Sequence, residues 1–303
     1  MANQPPALPS VALLGTGIMG LGMGRSMLRS GLPLRAWNRT LARAQALQSG
    51  GAVIAATPAD AARDADVIVT MLSDGAAVSE TMTAAKPGLR PGQVWAQAST
   101  VGVAGLEPLA RLASEHGLLF IDSPVLGTRQ PAEQGALTVF AAGPDEARPV
   151  LQPVFDAIGR TTVWLGTDAG PASALKLVVN SWVLALTTAA AEALARAGGL
   201  GIDPELFLQA VGGGPLDCAY LQNKAAAILS GDFAANFRLE LAGKDARLVT
   251  EAGRAAGIRL DVAPAVAERF RRAAELGHAD EDMAATYFAS FDGGEPMAGS
   301  TVG

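Results

Sequence analysis

The sequence predicts an α/β domain built on a doubly wound parallel sheet, followed by an all-α domain. Three observations predict it. Short apolar runs alternate with Ala-, Leu- and Arg-rich helical stretches up to about residue 165, the rhythm of βαβ units. That rhythm stops at Gly166-Thr167-Asp168-Ala169-Gly170-Pro171, and only helical patterns follow. The first apolar run, Val11-Ala12-Leu13-Leu14, leads directly into Gly15-Thr16-Gly17-Ile18-Met19-Gly20, so that a strand, a tight turn and a helix start follow one another.

Residues 1–9 contain three prolines and no periodicity, and read as a flexible tail. Strands are expected at Val11–Leu14, Leu34–Trp37, Ala52–Ile54, Val67–Leu72, Val94–Ala96, Leu119–Ile121, Leu137–Ala141 and Thr162–Leu165. Helical segments such as Leu41–Ser49 and Gly105–His116 lie between them, which bounds the first domain at 10–167. Pro171 suits the first position of a helix, and residues 172–197 read as one long helix. Further helices are expected at Pro204–Val211, Leu221–Leu229, Leu239–Ala256, Ala263–Leu276 and Asp280–Phe291, giving a helical domain over 168–292. Residues 293–303 read as a disordered tail.

Composition narrows the function. The chain is 50% hydrophobic and 17% charged, enough for large buried cores. A net charge of −6 with no Lys/Arg-rich run argues against a nucleic-acid or anionic-membrane surface. Cys218 is the only cysteine, so an intrachain disulfide is impossible and a reducing compartment fits. His116 and His278 stand far apart and read as surface residues, which leaves a metal cluster or a Ser-His-Asp triad unsupported. The N-terminus lacks a basic leader region, and the uncharged run Leu177–Ala191 is interrupted by Asn180, Ser181, Thr187 and Thr188. It is shorter than the ~18–20 apolar residues of a membrane span. A soluble, cytoplasmic protein is expected.

Each glycine of the turn has a distinct use. Gly15 permits the turn, Gly17 keeps a side chain out of a phosphate's path, and Gly20 lets the helix approach the strand. Bare N–H groups at the positive end of a helix dipole then hold a pyrophosphate. This is the arrangement of a Rossmann-type dinucleotide-binding domain. An NAD-binding unit carries an acid on the ribose about 20 residues further on. Here the second strand ends in Asn38-Arg39-Thr40, with no acid. Arg39 can pair with a 2′-phosphate, and Asn38 and Thr40 add donors, which favours NADP(H) over NAD(H). A solvated loop arginine beside a helix-capping Thr40 fits the same residues.

Two further segments can carry chemistry. Lys176 and Asn180 are four apart in the long helix and share one face, with Ser173 a turn earlier. Spacing alone also fits a lysine reaching solvent and an asparagine bonding a neighbouring helix. The segment Asp122-Ser123-Pro124-Val125-Leu126-Gly127-Thr128 follows a strand, where open α/β sheets bind ligands. An ordinary connecting loop fits it equally.

Taken in order, these parts resemble the β-hydroxyacid dehydrogenase family, which includes 3-hydroxyisobutyrate dehydrogenases and glyoxylate/succinic semialdehyde reductases. The resemblance spans roughly residues 10–291. It rests on the glycine turn, on Trp37-Asn38-Arg39-Thr40, on Ser99-Thr100, on Asp122 to Leu137, on Gly170 to Asn180, and on Phe237 with Lys244-Asp245. It implies a cofactor site drawn from Gly15, Gly17, Ile18, Met19, Gly20, Asn38, Arg39, Thr40, Met71, Leu72, Ser73, Thr100 and Lys244. It implies a substrate site drawn from Ser99, Leu126, Gly127, Thr128, Lys176, Asn180, Phe237 and Asp245, and no metal. Lys176 would give a proton to a carbonyl oxygen as hydride arrives, or take one in reverse; Asn180 would orient it. A lysine with a pKa of about 10.4 is a poor base, so burial or a nearby cation would have to lower it. Homodimers or tetramers formed through the helical domains are also implied.

Two positions depart from the family pattern. Leu126 stands where the family carries a serine whose hydroxyl contacts the substrate carboxylate, with Thr128 as a partial replacement. Ser181 stands where many members carry asparagine. Leu126 favours a larger or less acidic carbonyl than a small β-hydroxyacid. Two alternatives follow. One is reduction of a hydrophobic imine, against which Lys176 argues, because imine reductases generally carry Asp or Tyr there. The other is a non-catalytic dimeric scaffold, against which the intact Lys176, Asn180 and glycine turn argue.

Overall fold

The computed structural model describes residues 7–293. Most of the expected tail 1–9, and all but the first residue of 293–303, lie outside the described residues. The chain divides into two compact units, Met1–Lys176 and Leu177–Gly303.

The first unit is built on six strands: β1 (Val11–Leu14), β2 (Leu34–Trp37), β3 (Val53–Ile54), β4 (Val67–Thr70), β5 (Val94–Gln97) and β6 (Leu119–Asp122). They pair in parallel in the order β3-β2-β1-β4-β5-β6. Helices α1 (Ile18–Arg29), α2 (Leu41–Gln45), α3 (Pro58–Ala62), α4 (Gly75–Ala85) and α5 (Leu106–Glu115) connect them. All residues of β1, β4 and β5 are buried, as a sheet covered on both faces requires. Side chains alternate across a strand, so Val11 and Leu13 enter one apolar cluster and Ala12 and Leu14 another. The strand order reverses between β1 and β4, and a ligand crevice forms at such a switch point.

The expected strands near 137–141 and 162–165 do not extend this sheet. A second, three-stranded sheet is formed by β7 (Val125–Leu126), β8 (Leu137–Ala141) and β9 (Gly159–Trp164). β7 runs antiparallel to β8, and β8 parallel to β9. Helices α6 (Arg129–Gln134) and α7 (Arg148–Ile158) fill the intervals. Pro124 has no N–H for a ladder, and its carbonyl accepts instead from Phe140 N at 3.0 Å, which turns the chain out of the first sheet. The expected strand Val67–Leu72 ends at Thr70.

Helix α8 spans Pro171–Gly199, so the division between the units falls inside it, beyond the expected boundary at 167. By length and composition α8 could cross a bilayer. Its buried Asn180 would then face hydrocarbon, whereas here it donates to Asp245. The second unit continues with α9 (Pro204–Val211), α10 (Ala219–Ser230), α11 (Leu239–Ala255) and α12 (Val262–Ala273). Leu239, Ala242 and Ala246 of α11 pack with Val266, Phe270 and Ala273 of α12, one apolar stripe against another. The expected last helix is a 3₁₀ segment, Met283–Ser290, and a π turn over Ala274–His278 precedes it with Gly277 at φ +103°.

Candidate active site

The glycine turn lies at the carboxyl end of β1. Gly15 has φ +107°, and a Cβ there would lie 2.2 Å from the Met71 carbonyl oxygen. A Cβ on Gly20 would lie 2.0 Å from the Gly15 oxygen, so the first turn of α1 packs directly on the loop. A Cβ on Gly17 would meet nothing within 4 Å. Gly17 stands at the N-cap of α1 without a side-chain capping bond, and the first turn holds no acid. The buried Thr16 hydroxyl beside it has no hydrogen-bond partner among the described residues. Open space, uncapped amides and an orphaned hydroxyl together fit an anionic ligand.

Neighbouring strand ends shape the same crevice. Asn38 Oδ1 accepts from Thr16 N at 3.0 Å, and its Nδ2 donates to the Thr40 carbonyl at 3.0 Å. Asn38 therefore ties the end of β2 to the glycine turn, with one amide hydrogen already engaged. Arg39 and Thr40 are exposed. Thr40 occupies the N-cap of α2, yet its side chain makes no capping bond. Ile18 and Met19 begin α1 and are half-buried. Met71 and Leu72, half-buried, and Ser73, exposed, follow β4 on the other side of the switch point.

Ser99 lies in a dense hydrogen-bond network. It is wholly buried, and its hydroxyl accepts from Leu72 N at 2.9 Å while facing the Thr70 carbonyl at 3.3 Å. Gln97 clasps both its backbone groups, at 2.8 and 2.9 Å. Ser99 thus ties the Met71–Leu72 loop to the end of β5, with its hydroxyl hydrogen directed at the Thr70 carbonyl. Thr100, half-buried, follows it.

Leu126, half-buried, sits on β7 opposite Thr138. Gly127 has φ +136°, and a Cβ would lie 2.6 Å from Leu137 Cδ2, so this bend requires glycine. Thr128 stands at the N-cap of α6 without a side-chain capping bond.

Lys176 is 8% exposed and belongs to the first unit. Asn180 follows four residues later on α8, about 6 Å along the axis. In the second unit Asn180 Nδ2 donates to Asp245 Oδ2 at 2.7 Å, and Lys244 Nζ lies 2.9 Å from Asp245 Oδ1. The Lys244 contact is an ion pair without hydrogen-bond alignment, since Oδ1 has no directed donor. A carboxylate only accepts, so Asp245 dictates which end of the Asn180 amide faces it and leaves the amide oxygen as the acceptor. Phe237 is half-buried, and Asp282 Oδ2 accepts from its N–H at 3.2 Å. Asp282 is buried, pairs with Lys224 Nζ at 2.6 Å and also accepts from Asn236 N. The sequence gives no sign of this clamp, because these partners lie 45 to 58 residues away and carry no local signal.

Two family models cover the chain. Residues 10–166 match the NAD binding domain of 6-phosphogluconate dehydrogenase, and residues 170–289 match the NAD-binding domain of NADP-dependent 3-hydroxyisobutyrate dehydrogenase. Uncharacterized oxidoreductase YfjR of Bacillus subtilis is 31% identical over 91% of this chain and 97% of its own length. The human cytokine-like nuclear factor N-PAC is 30% identical over 93% of this chain, which spans only 51% of that relative. Chloroplastic glyoxylate/succinic semialdehyde reductase 2 of Arabidopsis thaliana is 28% identical over 91% of this chain and 78% of its own. Among solved structures, the Salmonella typhimurium 3-hydroxyisobutyrate dehydrogenase superimposes with a TM-score of 0.85 at 27% identity, covering 92% and 98% of the two chains. A reductive aminase from Aspergillus terreus, in complex with NADPH and ethyl levulinate, gives 0.59 at 26% identity over 92% and 98%. The dinucleotide crevice and the helical unit thus match, each in turn, the domain types of NAD(P)-binding dehydrogenases. More narrowly, the chain belongs to the β-hydroxyacid dehydrogenase family.

Proposed function

We propose that the chain reduces a small aldehyde or keto acid with NADPH, reversibly with the β-hydroxyacid, and that Lys176 moves the proton. The observation that carries this reading is the pairing of Asn180 with Asp245 one helical turn beyond the buried Lys176. A buried lysine and a pre-oriented amide on one helix face supply a donor and an acceptor for one oxygen-bearing carbon.

The uncapped amides at Gly17 and the start of α1, with the orphaned Thr16 hydroxyl, would hold the dinucleotide pyrophosphate, and Arg39 with Thr40 would receive its 2′-phosphate. When bound, the nicotinamide supplies or accepts the hydride. The rest belongs to the side chains. Lys176, as ammonium, donates to the carbonyl oxygen and stabilises the charge that develops there. It then releases the proton to that oxygen, and in reverse it accepts the hydroxyl proton. Asn180 presents its amide oxygen and is held against rotation by Asp245. Backbone amides near Gly127 would receive an acidic substrate end. Leu126 offers no hydrogen bond at its position, which favours substrates with an apolar or longer arm.

The same leucine supports a second reading, reduction of a hydrophobic imine, in keeping with the NADPH-bound reductive aminase that shares the fold. One experiment separates the two: NADPH oxidation by wild type and Lys176→Ala with glyoxylate, succinic semialdehyde and a cyclic imine. The carbonyl reading expects aldehyde turnover, with kcat at least ~100-fold lower in Lys176→Ala. Turnover of the imine alone, unaffected by the substitution, would replace it with the second.

A further inference from the structure

Asp122 closes β6 and is wholly buried. Its carboxylate meets only donors from the start of α8. Oδ2 accepts from Gly170 N at 3.1 Å and from Ser173 N at 2.8 Å, and Oδ1 accepts from the Ser173 hydroxyl at 2.7 Å. These are orphan groups of a helix N-terminus, so Asp122 acts as a cap supplied from a strand about fifty residues earlier. The Asp122 backbone exchanges two 2.9 Å hydrogen bonds with Ala142, just past β8. It also pairs with Gln97 in β6's parallel ladder to β5. One residue thus joins the cofactor sheet, the sheet that carries Leu126, and the helix that carries Lys176. All these groups lie in the first unit.

We propose that Asp122 is a positioning residue for catalysis, registering the first turn of α8, and with it Lys176, against the carboxyl ends of the cofactor sheet. This rests on Lys176 being the proton donor. Ser173 and Lys176 are three residues apart and share a helix face, so rotation or fraying of the first turn displaces the ammonium directly. A misplacement of about 1 Å at a reacting group can lower a rate by roughly a hundredfold.

Burial pushes the Asp122 carboxyl above the ordinary carboxylate range, and the bonds from Ser173 and Gly170 work against that rise. For an acid raised in the folded state, its stabilisation is full below the unfolded value near 3.8 and is lost as pH climbs through the folded one. Folding thus disfavours the ionised carboxylate relative to its protonated form, and the three bonds from Gly170 and Ser173 offset part of that cost.

The test compares Asp122→Asn, Ser173→Ala, their combination and Lys176→Ala, with NADPH and succinic semialdehyde. The expected result is a kcat roughly tenfold or more lower in Asp122→Asn, with NADPH Kd and substrate KM within about twofold of wild type. Ser173→Ala should lose less, because it removes only the hydroxyl bond and keeps the amide one, and should add little to Asp122→Asn, because both substitutions act on the same contact. Amide exchange should rise at residues 170–176 and stay unchanged in the rest of α8. Unchanged kcat in a folded Asp122→Asn overturns the inference, as does a kcat loss matched by an equal loss of NADPH binding. Should Asp122→Asn fail to fold, Ser173→Ala decides by the same criteria. Undiminished turnover in Lys176→Ala would remove the proton-donor reading and this inference with it. Collapse in Lys176→Ala beside normal Asp122→Asn and Ser173→Ala would remove the inference alone.

Discussion

Gly15, Gly17 and Gly20 share one turn, yet substitution should separate them. An alanine at Gly15 meets the Met71 carbonyl at 2.2 Å and must hold φ +107°, so Gly15→Ala should destabilise the fold by ~3 kcal/mol. Gly17 faces open space, so Gly17→Ala should change stability by under about 1 kcal/mol. Its methyl group would instead occupy the approach of the pyrophosphate, and the NADPH Kd should rise roughly tenfold or more. Fluorescence titration and thermal melts of both variants check this. A Gly17→Ala protein that binds NADPH like wild type would show that the turn does not hold the phosphates. These glycines were legible in the sequence because three residues and one strand carry the whole signal. Asp122 was visible only as the first letter of a loop, since its partner Ser173 lies 51 positions away. Asp245 and Asn180, 65 apart, were linked to the site by resemblance, and only the fold reveals that one orients the other.

At the scale of elements, β1, β2 and β4–β6 were readable because a buried parallel strand is a short apolar run between turns. Their partners were not readable. β8 looks like another strand of the first sheet, and its departure depends on Pro124 and on a two-residue β7 too short to leave a pattern. In the second unit, the Tyr220 hydroxyl on α10 donates to Met283 Sδ at 3.4 Å. Burial is the main reason the Tyr220 phenol is pushed up to about 12; a hydrogen bond with Thr187 opposes the rise, and the Asp282 charge adds to it. The folded chain keeps this proton to higher pH than the unfolded chain, whose tyrosines titrate near 10. Its contribution to stability is therefore complete below pH 10 and fades as pH rises to about 12. Tyr220→Phe has no such proton, so its urea midpoint should fall less than that of wild type across this interval. Parallel decline of the two proteins would mean that Tyr220 ionises as freely folded as unfolded.

For the whole molecule, cofactor choice can be read from unfolding. A ligand that binds only the native state raises stability by RT ln(1 + [L]/Kd), about 2.7 kcal/mol at a hundred times Kd. The proposed preference for NADP rests chiefly on Arg39 and Thr40, both exposed at the end of β2, because Asn38 is held by Thr16 and Thr40. A guanidinium that pairs with a 2′-phosphate gains a charge-assisted bond that NADH cannot offer. If that pairing is worth a factor of ten in affinity, NADPH exceeds NADH by about 1.4 kcal/mol at equal saturating concentration. In a chain of this size the difference corresponds to roughly 2 °C in the melting midpoint. Arg39→Ala should bring the two midpoints to within about 1 °C by lowering the NADPH curve and leaving the NADH curve in place. Equal shifts with both nucleotides in wild type would assign Arg39 to solvent. A gap that survives Arg39→Ala would move the discrimination to Thr40 and the backbone of the β2 loop.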